Sequence, residues 1–133
     1  MPAWKILVVD DDPDIRRIAA LALERLGGFR VTVASSAEEA LVEVGRDRPD
    51  LLLLDVSMPG TDGPALLLTL RQRSDTADIP VVFFTAASNE AEARRLRALG
   101  AIGVVPKPFD VAELPRRVEA IAAGAGLHYN PAR

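Results

Sequence analysis

Cysteine is absent from the 133 residues, which excludes disulfides, thiol chemistry and cysteine-ligated metals. No apolar run approaches ~20 residues, so no membrane-spanning helix is expected. Met1-Pro2-Ala3-Trp4-Lys5 leads straight into a short apolar segment without a signal-peptide core, so a cytoplasmic location is expected. The net charge of −3 comes with no basic stripe, which gives no reason to expect direct nucleic-acid contact. Two glycine-rich phosphate motifs, GxGxxG and GxxxxGKS/T, are missing after the first apolar run. Lysine is scarce: Lys5 and Lys107 are the two lysines among sixteen basic residues. A lysine in that arginine background points to a place where a compact ammonium is wanted.

What remains is an ordinary globular composition, 49% hydrophobic and 26% charged, of a size that fits one domain. That domain is expected over residues 1–123, with a short C-terminal tail and no output domain expected in 124–133. Five short apolar runs alternate with five amphipathic segments, and no repeat or linker interrupts them. The runs predict strands at 5–9, 29–34, 50–55, 79–84 and 102–105. Four are nearly continuous, as in parallel strands covered on both faces, whereas Arg30-Val31-Thr32-Val33 alternates and reads as an edge.

Helices are expected at about 13–26, 36–46, 63–73, 88–99 and 110–123. Ile15, Ile18, Ala19, Ala22 and Leu26 give the first an apolar stripe, with Asp12 as cap, Pro13 at its first position and Gly27-Gly28 at its end. Ser35 or Ser36 is expected to cap the second and Ser88 the fourth. Asp62-Gly63 reads as turn chemistry opening the third. Asp110 is placed to cap the last, where Pro115 predicts a kink or a 3₁₀ start. Strict strand–helix alternation argues for an α/β fold, a parallel sheet with right-handed crossovers and helices on both faces.

Polar residues collect at the strand ends. Asp10 and Asp11 follow the first, Asp55 closes Leu51–Leu54, Thr85 follows Val81–Phe84, and Lys107 follows the fifth. In a doubly wound sheet these ends meet in one crevice. Crowded carboxylates need a cation, and Mg²⁺ with one or two carboxylates and a phosphate is the usual hard-ligand arrangement. Lys107 and Thr85 offer donors to phosphoryl oxygens, and a carboxylate such as Asp55 serves as nucleophile in aspartyl-phosphate chemistry.

Val8-Val9-Asp10-Asp11-Asp12, Leu54-Asp55 through Asp62-Gly63, Phe84-Thr85-Ala86 and Lys107-Pro108-Phe109 together resemble the receiver domain of two-component response regulators, over residues 5 to about 123. The resemblance implies the flavodoxin-like (βα)5 fold with strand order 2-1-3-4-5. It implies Asp55 as phosphoacceptor, Asp10, Asp11 and Asp55 with the Ser57 carbonyl as Mg²⁺ ligands, Thr85 as switch hydroxyl and Lys107 as phosphate partner, its bond to Pro108 commonly cis. A histidine kinase or histidine phosphotransfer protein would be the donor. A downstream target or fused output domain would be the receiver of the signal, with a homodimer through the fourth helix, fifth strand and fifth helix a further partner. Direct nucleic-acid or membrane partners are not implied.

Two departures stand out: Val104 occupies the position where the family often has Tyr or Phe, and Pro106 precedes Lys107. Thr85 is left to carry the switch. The competing readings are a phosphorylation-independent docking or dimerisation module and an aspartyl-phosphate hydrolase. The latter lacks a second acid, because Ser57 stands two residues after Asp55. His128, Trp4 and Tyr129 read as terminal residues without a role in the site.

Overall fold

The computed structural model describes residues 4–87 and 89–127. Five strands, β1 (Lys5–Val9), β2 (Arg30–Ala34), β3 (Leu51–Asp55), β4 (Val81–Thr85) and β5 (Gly103–Pro106), alternate with five helices. The helices are α1 (Pro13–Arg25), α2 (Ala37–Arg46), α3 (Gly63–Arg71), α4 (Glu90–Ala98) and α5 (Leu114–Gly124). The sheet is wholly parallel in the order β2-β1-β3-β4-β5, the flavodoxin-like arrangement.

The unbroken apolar runs follow from burial on both faces. Along β1, β3 and β4 successive side chains point to opposite sides. Leu7, Val9, Leu52, Leu54 and Phe83 pack under α2, α3 and α4 with Val44, Leu66, Leu70 and Leu96. Ile6, Val8, Leu51, Leu53 and Phe84 pack against α1 and α5 with Leu23, Leu114 and Val118. Each fully buried leucine contributes roughly 2 kcal/mol of transfer free energy, so β3 alone anchors both layers. The strand β2 lies at an edge, as its alternation indicated, and β5 forms the other edge, where Pro106 is tolerated.

Several helix starts match the chemistry of their caps. The Asp12 carboxylate accepts from the Asp14 and Ile15 amides with Pro13 at the start of α1. Ser36 Oγ accepts from the Glu39 amide at 3.1 Å, and Asp62 from the Ala65 amide at 2.9 Å. At α4 the cap is Asn89, which accepts from the Glu92 amide at 2.8 Å. Ser88, expected in that role, lies outside the described residues, as do His128 and Tyr129.

Two expectations are corrected. The inward face of α1 is Ala19, Ala22 and Leu23, with Ile15 half-buried, while Ile18 and Leu26 are 40% and 61% exposed. The stripe is rotated because α1 packs beside α5 as well as on the sheet. The last helix begins at Leu114 rather than 110, so Pro115 falls in its first turn and causes no kink. Asp110 instead stabilises the preceding turn: its carboxylate accepts from Ala112 and its carbonyl from Glu113 and Leu114.

Lys5 is buried at the far end of β1, where its ammonium meets the Asp47 carboxylate at 2.8 Å and the Asp47 carbonyl at 3.0 Å. That hydrogen bond, with the ammonium's charge, holds the Asp47 carboxyl below the ordinary aspartate value. No helix among the described residues is long and apolar enough to cross a membrane.

Candidate functional site

The register brings the C-terminal ends of the central strands level. Val9 lies beside Leu54, Asp55 beside Phe84, and Thr85 beside Pro106. Asp10, Asp55 and Lys107 therefore converge, because each is the last strand residue or the first beyond it. Asp10 is fully buried: its Oδ1 accepts from the Asp12 amide at 2.9 Å, and its Oδ2 accepts from Lys107 Nζ at 2.8 Å. Lys107 Nζ also stands 3.2 Å from Asp55 Oδ1, so one ammonium bridges two carboxylates. Asp55 Oδ1 accepts in addition from the Ser57 amide at 3.3 Å.

Asp11 is exposed at the rim. Asp10, Asp11 and Asp55 each offer one carboxylate oxygen, all within 4.8 Å of one another. Three carboxylates against one ammonium leave a formal excess of two negative charges. The donors are all hard oxygens, with no thiolate or imidazole in the group, a set that suits a small divalent cation.

This crowding moves the titrations. Burial pushes the Asp55 carboxyl above the ordinary aspartate value and the Asp10 charge adds to the rise, against the opposing pull of Lys107 and the Ser57 amide. Burial works against the Lys107 charge, but the hydrogen bond and charge of Asp10, together with Asp55, outweigh it and raise the ammonium above its ordinary value.

Folding therefore binds a proton to Asp55 more tightly than the unfolded chain does. Stability is lost as pH rises from the unfolded value through the folded one, and the penalty is complete above it. Asp55→Asn should accordingly raise the metal-free Tm at pH 7, with the gain shrinking toward pH 4. Thermal melts in EDTA at the two pH values test this; a variant less stable than wild type at pH 7 would contradict it.

Thr85 is buried at the end of β4. Its hydroxyl oxygen accepts from the Ala87 amide at 3.1 Å, and its carbonyl accepts from the Lys107 amide at 2.8 Å. That bond uses an oxygen lone pair and leaves the hydroxyl hydrogen uncommitted by it. The Lys107–Pro108 peptide is cis, which carries Phe109 back onto Phe84; the rings stack with centroids 5.1 Å apart and an interplanar angle of 13°. Lys107 Nζ lies 5.7 Å from the Phe84 ring centre, within range of a cation–π contact.

The structure thus brings Asp10, Asp11, Asp55 and Lys107 together and places Ser57 and Thr85 at their border. Three residues were missed by sequence reasoning. Phe109 was read only as part of the Lys107-Pro108-Phe109 motif, not for its stacking on Phe84. Gly63 needed the approach of α3: a Cβ there would overlap the Asp55 carbonyl oxygen and lie 2.9 Å from the Phe83 ring. Arg16, which reaches back from α1 to the Asp10 carbonyl, left only the weak signal of a cation in the first turns of a helix.

A family model described as the response regulator receiver domain matches residues 6–119. Among curated proteins, the transcriptional activator protein PfeR of Pseudomonas aeruginosa is 39% identical over 121 residues, 91% of this chain and 38% of that protein. The phosphate regulon transcriptional regulatory protein PhoB of Escherichia coli is 37% identical over 119 residues, 90% of this chain and 52% of that protein. The chain spans about half the length of such relatives or less. Among solved structures, chemotaxis response regulator CheY4 of Vibrio cholerae superposes with a TM-score of 0.83 at 28% identity, covering 91% of this chain and 99% of that one. A response regulator of Chloroflexus aurantiacus gives 0.82 at 36% identity, covering 91% and 98%.

Proposed function

This chain belongs to the response regulator receiver domain family of two-component systems, and from that premise we propose that it is a phosphorylation-controlled switch whose acceptor is Asp55. The observation that carries the proposal is the Lys107 ammonium held between the Asp10 and Asp55 carboxylates at the end of a buried sheet. An oxygen of Asp55 forms the new P–O bond as the P–N bond of a donor phosphohistidine breaks, and the departing imidazole takes its proton from solvent. Lys107 is positioned to follow the transferred group, exchanging a carboxylate oxygen for a phosphoryl oxygen. Mg²⁺ held by Asp10, Asp11, Asp55 and the Ser57 carbonyl would supply charge neutralisation for the equatorial oxygens.

The donor would be a histidine kinase or a histidine phosphotransfer protein. Once phosphorylated, Asp55 offers the Thr85 hydroxyl a new acceptor. Thr85 is tied to the Ala87 amide and to Lys107, so its movement draws both adjoining loops. The affected surface is that of α4, β5 and α5, and Val104 leaves Thr85 as the moving part. Relatives named as transcriptional regulators point to an output partner, fused or separate, as the reader of that surface. In this reading the chain is a signalling domain rather than an enzyme and catalyses only its own phosphorylation and dephosphorylation.

Incubation with acetyl phosphate and Mg²⁺ followed by intact-mass measurement tests the proposal. Wild type should gain one phosphoryl group and Asp55→Ala none. Absence of an adduct on wild type, or its persistence in the variant, overturns the assignment. Rapid turnover of unrelated phosphate esters would favour a hydrolase instead.

A further inference from the structure

Arg16 sits where a cation is unwelcome. It is the fourth residue of α1, close to the positive end of the helix dipole, and Asp12 and Asp14 already serve the first turn. Helical side chains lean toward the N-terminus, and the half-buried Arg16 guanidinium uses that lean to donate to the Asp10 backbone carbonyl at 2.7 Å. The neighbouring Arg17 points outward and pairs with Asp14 at 3.2 Å, an exposed contact of little consequence.

The Asp10 carbonyl belongs to the peptide that joins Asp10 to Asp11. Every other handle on Asp10 is fixed as well: its amide donates to the Ala34 carbonyl at 3.2 Å, Oδ1 accepts from Asp12, and Oδ2 accepts from Lys107. The Asp11 side chain is exposed, so its placement leans on the backbone that carries it. The Asp10–Asp11 peptide sets where that side chain leaves the main chain, and Arg16 donates to the carbonyl of this peptide.

We infer that Arg16 is a positioning residue for the acidic centre, fixing the Asp10–Asp11 peptide so that the Asp11 carboxylate is aimed beside Asp10 and Asp55 for a divalent cation. The inference rests on the metal-assisted reading above. It also makes a prediction of opposite sign to simple electrostatics. Loss of a positive charge near three carboxylates would by itself tighten cation binding, whereas loss of an outer anchor weakens it, commonly by about 10-fold or more.

Calorimetric titration of the full chain with Mg²⁺ separates the two. Arg16→Met should raise the Mg²⁺ dissociation constant by about 10-fold, and Arg16→Lys, which keeps a donor within reach of the carbonyl, should recover at least half of that loss on a logarithmic scale. Arg17→Met, which removes the same charge from the same helix without touching the carbonyl, should stay within about twofold of wild type. An unchanged or tighter dissociation constant in Arg16→Met, or Arg16→Lys no better than Arg16→Met, overturns the inference. Wild type that binds no Mg²⁺ would overturn the metal reading itself, a distinguishable result.

Discussion

Lys107→Met should lower the metal-free Tm by about 8 °C and slow phosphorylation of Asp55 by roughly 100-fold. The first effect follows from burial: Asp10 is fully enclosed, and its partner at 2.8 Å is the Lys107 ammonium. Removing one member of a buried pair leaves a charge uncompensated, at a cost of roughly 3 kcal/mol. The raised folded pKa of Lys107 means this contribution is complete at pH 7 and is lost only as pH rises through the alkaline folded value. The second effect follows from the 3.2 Å approach to Asp55, which places the ammonium where charge on the transferred group is to be stabilised. Mg²⁺ should restore more stability to the variant than to wild type, because the cation takes over the neutralisation. Melts in EDTA and in Mg²⁺, with acetyl phosphate kinetics, read all three. A variant melting within 2 °C of wild type in EDTA and reacting within about threefold would make Lys107 peripheral.

Gly63→Ala should destabilise the chain by about 3 kcal/mol and impair phosphorylation of Asp55. The added methyl would overlap the Asp55 carbonyl oxygen, a backbone atom at the end of a central strand. The Gly63 amide is at the same time tied to the Val56 carbonyl at 3.0 Å, so neither side has freedom to retreat. Either α3 lifts or the peptide after Asp55 rotates, and both displace the carboxylate. Gly45→Ala is the contrasting case. Nothing lies within 4 Å of a Cβ there, in the last turn of α2, so a gain of about 0.5 kcal/mol is expected from helix propensity alone. Urea denaturation measures both signs. A Gly63→Ala protein as stable as wild type would show that the α3 entry is soft and does not hold Asp55.

The legible parts of the fold were those dictated by two-sided burial. Leu51–Leu54 and Val81–Phe84 are short continuous apolar runs flanked by polar or turn residues, which fits interior parallel strands covered on both faces, and the alternation of Arg30–Val33 fits the edge position that β2 takes. The site was legible for the same reason: carboxylates and a lysine at the ends of such strands have one crevice to enter. What periodicity could not resolve was rotation. The expected stripe of α1 was right at Ala19 and Ala22 and half-right at Ile15, but it included the exposed Ile18 and Leu26 and left out the buried Leu23, because α1 packs beside α5 as well as on the sheet. The start of α5 was misplaced because Asp110 is a good cap for a turn as well as for a helix. Gly63 and Arg16 act through contacts with backbone atoms distant in the fold's local geometry, and a backbone carbonyl leaves no trace in a sequence.

Both outer strands of the sheet are short, five residues in β2 and four in β5, and each is a poor template for another chain. Pro106 removes a donor from the end of β5, and Arg30 puts a charge at the start of β2. Open parallel sheets invite strand addition at their margins, and these two margins discourage it. The consequence is colloidal: the protein should tolerate high concentration without fibrillar self-association, whatever contacts its helices make with partners.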